Sequence, residues 1–108
     1  MGVPKIANEK FEAYLIEWNK KRIKQGINMK IVYNNESRKY GIKREKMKLT
    51  EVRYMKKEQE TPVWIDIFKD YVITINVQEE PICFLIKNKE TAETYRKYFQ
   101  IIWKISEK

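Results

Sequence analysis

The sequence predicts an α/β domain close to the α+β borderline, with a mixed sheet of about five strands, an N-terminal helix and a long C-terminal helix. Three observations predict it. An apolar stripe at helical spacing opens the chain, β-branched and alternating runs fill its middle, and a second, wider helical stripe closes it. At 108 residues the chain has the length of a single domain, 1–108, built on one modest core.

The first helix starts at Asn8, a good N-cap, with Glu9 and Glu12 where the helix dipole favours negative charge. Phe11, Leu15, Trp18 and Arg22 recur at helical spacing, Tyr14 widens the stripe, and Gly26 ends a helix of about 17 residues. Ile27 to Tyr33 is rich in β-branched residues, which suits a strand buried on both faces. Asn34-Asn35 turns the chain, and Ser37 to Lys48 reads as a weak, mostly charged helix broken near Gly41. Thr50 to Met55 is the second strand. Val63 to Phe68 and Tyr71 to Val77 alternate across a two-residue Lys69-Asp70 connection, a tight hairpin by length. Pro81 opens a last strand that runs to Lys87, and Asn88 caps the final helix. A helix that feeds a buried strand normally follows another strand, yet only Met1-Gly2-Val3-Pro4 stands ahead of the first helix, so a preceding strand is expected to be missing.

Composition excludes much chemistry. The chain has no histidine and one cysteine, which removes the commonest general base, the Ser-His and Cys-His nucleophile pairs and thiolate metal sites. Glycines at positions 2, 26 and 41 cannot build a phosphate loop. No catalytic residues, metal or cofactor are therefore expected. Cys83 lies within Ile82-Cys83-Phe84-Leu85-Ile86 and reads as a small buried hydrophobe of a reducing compartment. That run is too short to span a membrane, and the expected location is the cytoplasm without membrane association.

Charge is unevenly placed. Lys20 to Lys57 holds fourteen Lys and Arg against Glu36, Glu45 and Glu51, a surplus of eleven in a chain of net charge +8. Such a region attracts polyanions, although in a lysine-rich protein it is often a solvated face. Lys20, Lys21 and Lys24 are the candidate nucleic-acid contacts. Arg22 continues an apolar stripe and Arg53 lies within a strand, places where an arginine usually holds a phosphate or carboxylate in its planar fork. With Tyr54 they are the candidate ligand- or phosphate-binding residues; the plainer reading of the arginines is an internal salt bridge to Glu51 or Asp66. The last helix carries Tyr95, Phe99, Ile102 and Trp103 on one stripe and Tyr98, Ile101 and Ile105 on another, whereas one sheet face normally accepts one stripe. Tyr98, Ile101 and Ile105 are the expected interface of a homodimer.

Several segments carry a resemblance beyond these patterns. Trp18 to Ile27 (WNKKRIKQGI), Thr50 to Tyr54 (TEVRY), the Thr61-Pro62 hairpin start, and Asn88 to Phe99 (NKETAETYRKYF) followed by Trp103-Lys104 together resemble the C-terminal effector domain of TrmB-like archaeal transcription regulators. The resemblance covers nearly the whole chain. It implies a phospholipase-D-like half, in a protein whose upstream winged helix binds DNA while this domain senses a ligand or mediates dimerisation. The catalytic His-x-Lys-x4-Asp pattern of the phospholipase D family falls on Val63, Ile65 and Asp70, so only the aspartate is present. The expected function is thus a non-catalytic effector or dimerisation domain of unspecified ligand. The alternatives are a basic nucleic-acid-binding module and, further off, a divergent phosphodiesterase or nuclease-like enzyme. The expected partners are a second copy and DNA, reached directly or through a winged-helix partner.

Overall fold

A computed structural model describes residues 9–76, 80 and 82–108, with side chains from Glu12 onward. Helix α1 (Glu9–Lys24) closes in a Schellman motif: Gly26, at φ +73°, donates its N–H to the Ile23 carbonyl and Ile27 donates to the Arg22 carbonyl. Strand β1 (Met29–Tyr33) follows, then helix α2 (Arg38–Glu45) and strand β2 (Thr50–Tyr54). A parallel pair needs a crossover between its strands, and α2 supplies it; β1 and β2 pair parallel with Val32 opposite Arg53.

Strands β3 (Val63–Phe68), β4 (Tyr71–Asn76) and β5 (Ile82–Lys87) form an antiparallel sheet in that order. Phe68 pairs with Tyr71 around the Lys69-Asp70 turn, where Lys69 adopts φ +52° in place of the usual glycine or asparagine. Helix α3 (Lys89–Ile105) is capped by Asn88, whose side chain accepts the Thr91 N–H at 2.9 Å. It packs across all three antiparallel strands, and its C-terminal half reaches the parallel pair.

The parallel pair is covered on both faces. On one, Tyr33, Val52 and Tyr54 form a cluster with Ile31, Tyr40 and Trp64; on the other, Val32 and Met55 pack with Phe99, Ile102 and Trp103. Burial on both faces, expected for β1, holds at its C-terminal end, at Val32 and Tyr33, while Lys30 is exposed.

Five strands, an N-terminal helix and a long C-terminal helix match the predicted class in its α+β form, with the strands divided between two sheets. Four local expectations are corrected. Helix α2 runs unbroken through Gly41, because the glycine makes room for a neighbour and does not end the helix. Cys83 is exposed, since β5 is an edge strand. Trp18 and Tyr14 are exposed, and α1 buries the polar Glu12, Asn19 and Arg22 beside half-buried Leu15, Ile16 and Ile23. The arginine salt bridges to Glu51 or Asp66 do not form: the acceptors of Arg22 and Arg53 are neutral, and Asp66 accepts from the Trp64 indole N–H. The Asn8 cap, the Phe11 side chain, Val77 and Pro81 lie outside the described residues.

Candidate functional site

Strand β2 positions the candidate site. Met55 donates its N–H to Tyr33 of β1, whereas Tyr54 exchanges both backbone hydrogen bonds with Glu107 on the opposite side. Backbone groups alternate in direction along a strand, so Val52, two residues before Tyr54, turns its N–H and C=O away from β1. A groove of about 560 Å³ flanks that edge. Its apolar lining is Ile42, Val52 and Trp103; its cations are Arg38, Arg53 and Lys108; Glu45 and Glu51 complete the wall.

Arg53 lies on the α3 side of β2, and its guanidinium sits 4.5 Å from the centroid of the Trp103 ring. Its Nη1 donates to the Trp103 carbonyl at 2.7 Å, beside the longer 3.3 Å bond that this carbonyl accepts from the Ser106 N–H at the end of α3. Among the described residues its buried Nε has no acceptor. Lys30, on the same face, stands 5.4 Å from the same indole. Across β2, Arg38 stacks 4.0 Å over the Tyr54 ring and donates through Nε to Asn35 Oδ1 at 3.0 Å. The Tyr54 hydroxyl donates to Glu45 Oε1 at 2.8 Å, so one of the two groove carboxylates is already engaged.

The candidates expected from the sequence fall in different places. Arg53 lines the groove and Tyr54 backs it through Glu45 and Arg38. Arg22 is elsewhere. It is buried, donates through Nη1 to the carbonyls of Ile27 and Leu49 at 2.8 Å, through Nε to Asn19 Oδ1, and through Nη2 to Thr50 Oγ1. Burial lowers its pKa from the usual arginine value. It fastens the end of α1 to the start of β2. Lys20, Lys21 and Lys24 project from the exposed end of α1, where Lys20 pairs with Glu17 at 3.1 Å.

Tyr98, Ile101 and Ile105 form an outward stripe on α3, with 54%, 59% and 40% of their surfaces exposed. A further feature that the sequence reading missed lies on β5, which exposes Ile82 and Phe84 (63%) on one face and Leu85 (66%) on the other. An uninterrupted apolar run resembles a central strand, but a run that leads directly into a helix can equally close a sheet at its edge. Arg38 and Lys108 were also missed, since no spacing links them to Arg53. No family model matches the chain, and neither the curated proteins nor the solved structures give a match.

Proposed function

We propose that the chain is a non-catalytic effector and dimerisation domain of a cytoplasmic, TrmB-like transcription regulator, in which a second copy covers the apolar surface of α3 and β5. The reading takes β1–α2–β2 and the following hairpin as a phospholipase-D-like half that has lost its chemistry. The absence of histidine from the sequence supports the loss, because that family's nucleophile is a histidine.

The observation that carries the proposal is the exposure of large apolar side chains on two elements in contact, Tyr98, Ile101 and Ile105 on α3 and, on β5, Ile82 and Phe84 on one face with Leu85 on the other. Sheet edges are normally guarded by charge, proline or a covering element, yet Ile82 to Ile86 carries no charge. An antiparallel pairing of two β5 strands about a two-fold axis through Phe84 sets Ile82 against the partner's Ile86 and extends the sheet to six strands. Each large side chain withdrawn from water contributes roughly 1.5–3 kcal/mol before the costs of association.

Light scattering on the wild type and on an Ile101→Lys, Ile105→Glu double variant tests it. A dimer is expected for the wild type at tens of micromolar and a folded monomer for the variant. A monomeric wild type sinks the proposal, and so does a folded variant that stays dimeric.

A second reading, a nucleic-acid-binding module, is favoured by the exposure of Lys20, Lys21 and Lys24 at one end of α1. DNA affinity that falls steeply with salt, with a slope reduced by about 1 for each lysine reversed, would favour it over the first.

A further inference from the structure

We infer that the groove along the outer edge of β2 is a binding site for a small organic anion, a carboxylate or phosphate attached to a flat apolar body. The inference rests on the groove and not on self-association.

Three kinds of group converge there. The first is a set of donors without acceptors. Arg53 spends one Nη on the Trp103 carbonyl, its Nε is buried without a partner among the described residues, and the alternation of β2 turns the Val52 N–H the same way. A buried donor left unpaired is costly, and an anionic oxygen satisfies it with a charge-assisted bond. The second is positive charge without carboxylate partners. Neither Arg38, Arg53 nor Lys108 belongs to an ion pair among the described residues, although each lines the groove. Of the two carboxylates present, Glu45 is occupied by the Tyr54 hydroxyl and Glu51 is exposed to solvent that screens it.

The third is apolar wall. Ile42, 44% exposed, offers aliphatic surface beside the cations with the buried Val52 and Trp103 behind it, and the groove volume of about 560 Å³ lies within the range of small-ligand sites. An inorganic ion would use the cations and leave this wall wet. A flat body carrying an acidic group uses both, lying against Ile42 with its head between Arg53 and Arg38. Stacking holds both guanidinium planes, over Trp103 and over Tyr54, so little side-chain freedom is lost on binding.

The test is a titration of isotope-labelled protein by NMR with phenyl phosphate, benzoate and the neutral benzyl alcohol, following the Val52 N–H, the Arg53 Nε–H and the Trp103 indole N–H. Saturable shifts of all three signals are expected with at least one anion, and the anion that binds tighter identifies the head group. Arg53→Gln should weaken binding about tenfold or more. Because Arg53 also holds the end of α3, Arg38→Gln is the companion variant and should weaken binding by a similar factor without touching that contact. The inference fails if benzyl alcohol binds as well as either anion. It also fails if the shifts centre on Lys20, Lys21 and Lys24, if neither anion saturates, or if a folded Arg38→Gln protein binds as the wild type does.

Discussion

The ring of Tyr54 lies so close to the backbone of Gly41 that a Cβ on that glycine would stand 2.6 Å from both its hydroxyl oxygen and its Cε1. Helix α2 can therefore approach β2 closely enough for the hydroxyl, one turn further on, to reach Glu45. Gly41→Ala should destabilise the protein by about 1–3 kcal/mol through overpacking, although alanine is the better helix former. In a Tyr54→Ala background the same change should become neutral or stabilising by up to about 1 kcal/mol. Chemical denaturation of the four proteins in this cycle checks the coupling. An additive result would show that the ring does not dictate the glycine.

Leu49 precedes β2 at φ +56°, a left-handed conformation that a branched side chain adopts at a cost of about 1–2 kcal/mol. The conformation aims its carbonyl at Arg22 Nη1 and at the Met29 N–H, which it accepts at 2.8 and 2.9 Å. Leu49→Gly should keep both bonds and, because relief of the left-handed strain outweighs the loss of a side chain that is 41% exposed, raise stability by about 0.5–1 kcal/mol. Arg22→Ala, which strands the Ile27 carbonyl and Asn19 Oδ1 and takes one of two donors from the Leu49 carbonyl, should lower it by about 2–3 kcal/mol. Thermal melts of both variants would show the opposite signs.

These two contacts mark the limit of what the sequence discloses. The Asn88 cap, the Gly26 stop and the two-residue hairpin were legible because each depends on neighbours in the chain. Gly41 read as a helix breaker because its reason, the Tyr54 ring, lies thirteen positions away. The inner face of α1 was read as apolar because helical periodicity sees only hydrophobicity, whereas Glu12 and Arg22 are held inside by partners on other elements and Asn19 by Arg22 and the Leu15 carbonyl of its own helix. The groove was half legible. An arginine within a strand suggested Arg53, but Arg38 and Lys108 join it only through the β1–α2–β2 crossover and the return of the C-terminus to Tyr54.

The buried ion pair between Glu12 and Arg44 ties α1 to α2, with both side chains almost wholly out of water. Removing one partner leaves a charge stranded, so Glu12→Ala should cost about 3–5 kcal/mol. Replacing both by apolar residues of similar size, Glu12→Leu with Arg44→Met, should cost far less and can come out near zero. Urea denaturation of the single and double variants distinguishes these outcomes. A double variant as unstable as the single one would mean that the pair contributes more than it costs to bury.

Two tyrosines should make the fold sensitive to alkali. Burial pushes the Tyr33 phenol up to about 12, against an opposing pull from Arg44, and burial together with the bond to Glu45 raises Tyr54 as well. Below pH 10, the ordinary phenol value, folded and unfolded chains both keep these protons and the shifts have no effect on stability. Above it the unfolded chain releases protons that the folded chain retains, so the unfolded state is favoured increasingly until the folded pKa is reached. A phenol displaced by about two units forfeits on the order of 3 kcal/mol across that window. The urea midpoint should therefore fall more steeply between pH 10 and pH 12 in the wild type than in Tyr33→Phe, a comparison that cancels the lysines titrating in the same range. Absorbance of tyrosinate should show the Tyr33 and Tyr54 phenols ionising only as the protein unfolds. Ionisation of Tyr33 and Tyr54 near pH 10, with the fold intact, would refute the argument.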